Sequence, residues 1–353
     1  MENLKTYLER AVSDQASDLF IVAGCPISEK LDGHIKTMEE GKLYPPQTEA
    51  LIREIYETAG RPIDRYLETG DDDFSFAVPG LSRFRVNAYR QRNSLAAVVR
   101  VVSFDIPKWD EIHIPSQIMD LADITHGMIL FTGTAGSGKS TTQACIIDRI
   151  NKTRDCHIIT LEDPIEYLHK NEKSIVSQRE IAIDTADYLS ALRSCLRQAP
   201  DVILLGEMRD AETIRTAITA AETGHTVIAT MHTKGAVNAI DRIIDSFSAS
   251  HQAQIRFQLA NVLRTVVSQQ MIPTTNGTMI PAFELMHINS AIKGMIRDNK
   301  NYQIENAMST GRADGMMLMD QSILNLYKEG IVTKETALSY ADHPDQLVRH
   351  LNG

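Results

Sequence analysis

A chain of 353 residues, 43% of them hydrophobic, is apolar enough to fold and too long for one ordinary core, so roughly two or three domains are expected. The formal net charge of −10 argues against broad nucleic-acid binding, which needs a positive surface to displace counterions. The four cysteines (Cys25, Cys145, Cys156, Cys195) are scattered with no C-x-x-C pair, so neither a disulfide framework nor a zinc site is indicated; no apolar run approaches the ~18 to 20 residues that span a bilayer, and residues 1–14 lack the apolar centre of a signal peptide, so a cytosolic protein is expected.

In chain order, residues 1–103 open with a helix pattern. Short strand patterns follow at 19–23, 74–78, 84–89 and 95–102, with turn signals at Asp32-Gly33, Pro45-Pro46 and Pro79-Gly80. This predicts a small α/β domain on an antiparallel sheet. Arg83, Arg85, Arg90, Arg92 and Arg100 cluster on or beside two of its strands, and alternation puts Arg83 and Arg85 on one face. Residues 104–115, with two prolines, read as a linker. From 116 to 288 the apolar runs at 128–131, 157–161, 202–205, 227–231 and 280–285 alternate with helix patterns. That alternation predicts a mostly parallel sheet covered on both faces. Residues 289–353 read as short helices.

The strand at 128–131 leads into Gly133, Thr134, Ala135, Gly136, Ser137, Gly138, Lys139, Ser140 and Thr141, a full G-x-x-x-x-G-K-[ST] phosphate loop followed by a helix pattern. Glycines let the backbone N–H groups converge on phosphates, and the helix adds the positive end of its dipole. Lys139, expected to be solvated near the ligand, would reach the β- and γ-phosphates of ATP, and Ser140 would offer its hydroxyl to Mg²⁺. Ligands of parallel α/β sheets bind beyond the carboxyl ends of the strands, so the residue after each apolar run is informative. The run at 202–205 leads through Gly206 to Glu207, a Walker B acid suited to the Mg²⁺ shell, directly or through water; Asp201 lies at the opposite end and is not assigned to the metal. The run at 157–161 ends in Glu162, a candidate to orient or deprotonate the attacking water. The run at 227–231 ends in His232, which could donate to the γ-phosphate or a bound water, whereas His225 precedes the strand and belongs at its far end.

Four segments in this order resemble the four boxes of the type II/IV secretion ATPase superfamily: G-T-A-G-S-G-K-S-T-T, I-I-T-L-E-D-P-I-E-Y-L-H, D-V-I-L-L-G-E-M-R-D and T-G-H-T-V-I-A-T-M-H-T. Within it the chain is most similar to the PilT-like retraction ATPases of type IV pili, through Ser17-Asp18-Leu19, Arg83-Phe84-Arg85-Val86-Asn87, Ser268-Gln269-Gln270 and other marks over nearly the whole chain. The resemblance implies a PAS-like N-terminal domain, a RecA-like ATPase domain with a helical C-terminal region, and a homo-hexameric motor that couples ATP hydrolysis to pilus retraction and twitching motility. It also implies an inner-membrane platform protein and a paralogous retraction ATPase as partners, no nucleic acid, and a cytoplasmic position peripheral to the membrane. It strengthens His232 and, less, His225, and it favours Arg85 and Arg100 as the pair that reaches ATP on a neighbouring subunit, with Arg83 as alternate. A pilus-assembly or secretion ATPase and a non-hydrolysing ATP-gated subunit are the rival readings. A four-cysteine metal motif and a longer N-terminal region, common in the first rival, are missing; Glu162 and Glu207 argue against the second.

The chain departs from the family pattern in three places. The segment linked to retraction reads A-I-K-G-M-I-R at 291–297, where Lys293 keeps the charge but not the guanidinium fork and Gly294 costs a helix about 1 kcal/mol relative to Ala. Phe20 replaces a histidine, and Ala199 stands where an acid is expected before Pro200-Asp201.

Overall fold

A computed structural model describes residues 2–31, 33–102 and 106–351, and the side chains of all of these except residues 312 and 313. The chain forms two compact units, the first made of Met1–Asp105 with Glu166–Leu168 and the second of Ile106–Ile165 with His169–Gly353.

The first unit contains α1 (Leu4–Ser13), β1 (Asp18–Ile21), β2 (Ser28–Leu31), β3 (His34–Thr37), α2 (Pro45–Thr58), α3 (Asp64–Thr69), β4 (Asp71–Val78), β5 (Ser82–Gln91) and β6 (Ser94–Val102). The strands form one sheet in the order β3-β2-β1-β6-β5-β4, antiparallel at every pairing. Alternation sorts its faces. Phe84, Val86 and Ala88 of β5 are buried with Leu51, Ile52 and Ile55 of α2 and with Leu4 and Leu8 of α1, while Arg83, Arg85 and Asn87 take the other face. The antiparallel α/β expectation is met. The hairpin β2–β3 was not foreseen, because β3 is an edge strand exposed at all its residues and carries no apolar alternation to read. Asp32, half of an expected turn signal, lies outside the described residues.

The second unit contains α4 (Ser116–Met119), β7 (Gly127–Thr132), α5 (Lys139–Thr153), β8 (His157–Glu162), β9 (Ile175–Glu180), α6 (Tyr188–Cys195), β10 (Val202–Leu205), α7 (Ala211–Glu222), β11 (Thr226–Met231), α8 (Ala236–Asp245), α9 (Ala249–Val262), β12 (Leu263–Pro273) and β13 (Met279–His287). Short helices follow: α10 (Ser290–Arg297), α11 (Ile304–Thr310), α12 (Met319–Lys328), α13 (Lys334–Tyr340) and α14 (Pro344–Leu351). The sheet order is β13-β12-β7-β11-β10-β8-β9, parallel except for the β12–β13 pair. Every residue of β7, β10 and β11 is buried, which is why these strands read as continuous apolar runs. Met128 and Leu130 face a core shared with α6 to α9, whereas Ile129 and Phe131 face Ile146, Ile147 and Ile150 of α5. Strands β9 and β12 were not foreseen: β9 is an edge strand, and β12 mixes polar Arg264, Ser268, Gln269 and Gln270 into its length.

Of the expected linker, Phe104 and Asp105 lie outside the described residues, while Ile106, Trp109, Ile112 and Ile114 pack against the α5-side core. Gly294 does not prevent α10 from forming: Asn289 caps it, Ile292 and Ile296 anchor it in the core, and a Cβ at 294 would meet nothing within 4 Å.

Candidate active site

Strands β7, β11, β10 and β8 run parallel as neighbours, so the residues that follow them emerge at one edge of the sheet. That edge carries the phosphate loop, His232, Glu207 and Glu162.

The loop leaves β7 after Thr132 and ends at Gly138, the N-cap of α5 with φ +83°. No side chain caps α5, the form of helix start that a bound phosphate completes. Thr134, Ala135 and Gly136 are exposed, while Ser140 and Thr141 are half-buried at the start of the helix. Lys139 corrects the expectation of a solvated side chain. It is only 6% exposed, and its ammonium donates to the Gly133 carbonyl at 2.8 Å, the Thr134 carbonyl at 2.7 Å and Ser137 Oγ at 3.3 Å. The loop thus folds around the lysine. A strongly hydrated cation is buried only where donors meet acceptors, and these carbonyls supply them.

Glu162 ends β8. Its Oε1 accepts from Thr160 Oγ1 at 2.5 Å and from Gln178 Nε2 of β9 at 3.2 Å, so the carboxylate is oriented from two strands. Glu207 comes close to it because β10 turns past β8 at Gly206, whose N–H donates to the Leu161 carbonyl at 2.8 Å. A Cβ at 206 would stand 2.9 Å from Tyr188 Oη and 3.0 Å from the Leu161 carbonyl oxygen, so a side chain there would crowd both. Glu207 is ion-paired with Arg209 at 2.6 Å and lies 3.4 Å from His232 Nε2. Tyr188 stands beside these acids: burial first, then the Asp163 and Glu207 carboxylates, push its hydroxyl above the usual phenol range, so it remains a neutral donor.

The remaining strand-end residues sit where their positions predict. His225 Nδ1 is 2.9 Å from the Ala220 carbonyl oxygen at the end of α7, at the opposite edge from His232. Asp201 accepts from the His157 N–H at 2.8 Å, also at that far edge. Ala199 has φ +50°, a left-handed conformation that non-glycine residues adopt at a cost and that Asn or Asp tolerates better.

Arg85 and Arg100 belong to the first unit, directly opposite one another across β5 and β6. Arg85 holds Asp73 through two hydrogen bonds, Nε to Oδ1 at 3.1 Å and an η-nitrogen to Oδ2 at 2.7 Å; Arg100 Nε donates to Asp18 Oδ1 at 3.0 Å. Each guanidinium is therefore partnered by an aspartate of a flanking strand. The Arg85–Asp73 pair is half-exposed and contributes little to stability, whereas Asp18 is buried while its partner Arg100 is exposed, and it also accepts from Ser17 Oγ at 2.8 Å.

Sequence reasoning gave no role to Arg209 or Tyr188. Arg209 was within reach, since it follows Glu207 by two residues; Tyr188 was not, because it starts a helix distant in sequence and only the fold brings it to the acids.

Residues 1–340 match the family described as Type II/IV secretion system protein. Over 333 residues the chain is 41% identical to the type IV pilus retraction ATPase PilT of Pseudomonas aeruginosa, covering 94% of this chain and 96% of that one. It is 38% identical to a twitching motility protein of Neisseria gonorrhoeae, covering 92% of this chain and 87% of its relative. Among solved structures, the pilus retraction motor PilT with bound ADP superposes with a TM-score of 0.90 at 41% identity, over 99% of this chain and 100% of that chain.

Proposed function

The chain belongs to the Type II/IV secretion system protein family, and from that premise we propose that it is a motor ATPase whose hydrolysis of ATP drives type IV pilus retraction and twitching motility. The observation that carries the reading is the single sheet edge at which a full phosphate loop meets two carboxylates, Glu162 and Glu207, each at the end of a buried parallel strand. Binding without turnover would not need Glu162, the carboxylate placed to activate water.

In this reading the backbone of Gly133 to Thr141 cradles the phosphates. Lys139 exchanges its loop carbonyls for β- and γ-phosphate oxygens, an exchange favoured because the phosphate oxygens carry negative charge and the carbonyls do not. Glu162, oriented by Thr160 and Gln178, aligns the attacking water and takes its proton. His232, whose ring lies against Glu207, donates toward the γ-phosphate or a bound water. The oxygens of Ser140 and Glu207 suit Mg²⁺, a hard cation held mostly by water and substrate phosphates, and no cluster of three or more His, Cys, Asp or Glu that could hold a metal ion occurs among the described residues. Bound with ATP, Mg²⁺ would offset charge on the transferring phosphoryl group.

The motor works as a homo-hexamer in which Arg85 and Arg100 of one subunit leave Asp73 and Asp18 for the phosphates of the next. It acts from the cytoplasmic face of the inner membrane on a pilus platform protein, alongside a paralogous retraction ATPase. Among the described residues no helix is long and apolar enough to cross a membrane. The test joins chemistry to motion. Purified protein should hydrolyse ATP, and a deletion strain should lose twitching that wild-type but not Lys139→Ala protein restores; a twitching deletion strain would overturn the retraction role.

A further inference from the structure

Strand β12 continues beyond the point where β7 ends. Its last pairing with β7 sets Ser268 opposite Thr132, and the next residue, Gln269, lies against the phosphate loop. A Cβ at 133 would come within 2.2 Å of the Gln269 carbonyl oxygen, and one at 138 within 2.9 Å of Gln269 Nε2. The side chain also reaches the helix after the loop, where Thr142 Oγ1 donates to Gln269 Oε1 at 3.0 Å. Gln269 is 3% exposed and Thr142 is 1% exposed. One residue therefore touches the first glycine of the loop, the last, and the opening turn of α5. Both glycines answer to this approach as well as to the needs of a phosphate.

We propose that Gln269 is a positioning residue for the nucleotide: packed against Gly133 and Gly138 and bonded to Thr142, it fixes the phosphate loop in its phosphate-accepting shape. A loop rich in glycine has many conformations to lose on binding, and a residue that restricts it beforehand lowers that cost. The restriction acts on affinity. Chemistry at a filled site depends on Glu162 and Glu207, which follow β8 and β10, strands separated from β12 by β7 and β11.

The proposal rests on the nucleotide-binding reading, and calorimetric titration with ADP separates the two. Wild-type protein that binds no ADP would overturn that reading and this proposal with it. Given wild-type binding, Gln269→Leu and Thr142→Val should each weaken ADP affinity about fivefold to tenfold, the range of one buried hydrogen bond. The double variant should be no weaker than the poorer single one, because both remove the same contact. Thr142→Ser, which keeps the hydroxyl, should bind as wild type does. At saturating ATP, kcat should stay within about twofold. Wild-type affinity in either single variant, multiplied losses in the double variant, or a fall in kcat with affinity retained would each overturn the positioning role. Should Gln269→Leu fail to fold, the Thr142→Val and Thr142→Ser pair decides alone, since it differs by one hydroxyl.

Discussion

Lys139 donates to two carbonyls of its own loop, so its removal has two consequences. Lys139→Ala should abolish tight ATP binding, because the point charge at the β- and γ-phosphates is gone. It should also destabilise the protein by about 1–3 kcal/mol, the cost of leaving a buried polar group unpaired. Calorimetry checks the first and thermal unfolding the second; an unchanged Tm would mean that water replaces the ammonium at the loop carbonyls. At the strand ends, Glu162→Ala and Glu207→Ala should each keep ATP binding and lose turnover, by about 10²- to 10⁴-fold where the carboxylate acts as general base. The two differ in what they release. Loss of Glu207 removes the ion-pair partner of Arg209 and the neighbour of His232, whereas loss of Glu162 removes the acceptor of Thr160 Oγ1 and Gln178 Nε2. A Glu162→Ala protein with wild-type kcat would reduce that carboxylate to a loop acid.

The segment after β11 ties three strands and the connection between α13 and α14 together within a few residues. Thr233 accepts from Thr132 of β7, Lys234 pairs with Asp342 before α14 at 2.8 Å, the Gly235 N–H donates to Ser268 Oγ of β12 at 3.1 Å, and the Ala236 N–H donates to Glu284 Oε1 of β13 at 2.6 Å. His232 begins this segment, so its place beside Glu207 depends on those anchors. Glu284 is a buried acid: burial raises its pKa from 4.5 to about 7, with Asp342 and Glu305 adding to the rise and the Ala236 N–H opposing it. An acid whose folded pKa lies above its unfolded value is protonated in the folded protein and ionised in the unfolded chain between the two. Its contribution to stability is fully present below the lower value and is lost as pH rises toward the higher. Stability should therefore fall from about pH 4.5 to about pH 7 by at most about 1.4 kcal/mol per unit from this group. Denaturant titrations across that window should show Glu284→Gln lacking this part of the slope, and identical slopes in both proteins would place the folded pKa near its ordinary value.

At the scale of the whole molecule, the phosphate loop and the paired arginines sit in different compact units. Cross-strand register aligns Arg85 with Arg100, and Asp73 and Asp18 hold them from either side. If these guanidinium groups serve a neighbouring subunit, Arg85→Ala or Arg100→Ala should suppress ATPase activity. Mixing Arg85→Ala with Lys139→Ala subunits should then recover part of it, since one mixed interface joins an intact phosphate loop to an intact arginine. No recovery in verified mixed hexamers, with full activity in a monomeric form, would leave the arginines as surface charge.

By itself the sequence determined an antiparallel and a mostly parallel α/β segment and the position of the phosphate loop, Glu162, Glu207 and His232 at strand ends. Those features are local: a phosphate loop is nine consecutive residues here, and a strand buried on both faces writes its burial into a short apolar run. Tertiary structure alone decided which groups meet. It put Arg209 and His232 on Glu207, Tyr188 among the acids, Lys139 inside its own loop and Gln269 beneath Gly133 and Gly138. Sheet order is the physical reason, because β12 lies next to β7 although the chain between them holds four other strands, and no local pattern in either records that neighbour. The polar residues of β12 read as interruptions along the chain and become contacts only when β12 lies against the loop. The same holds for Asp18, which meets Arg100 only because β1 pairs with β6.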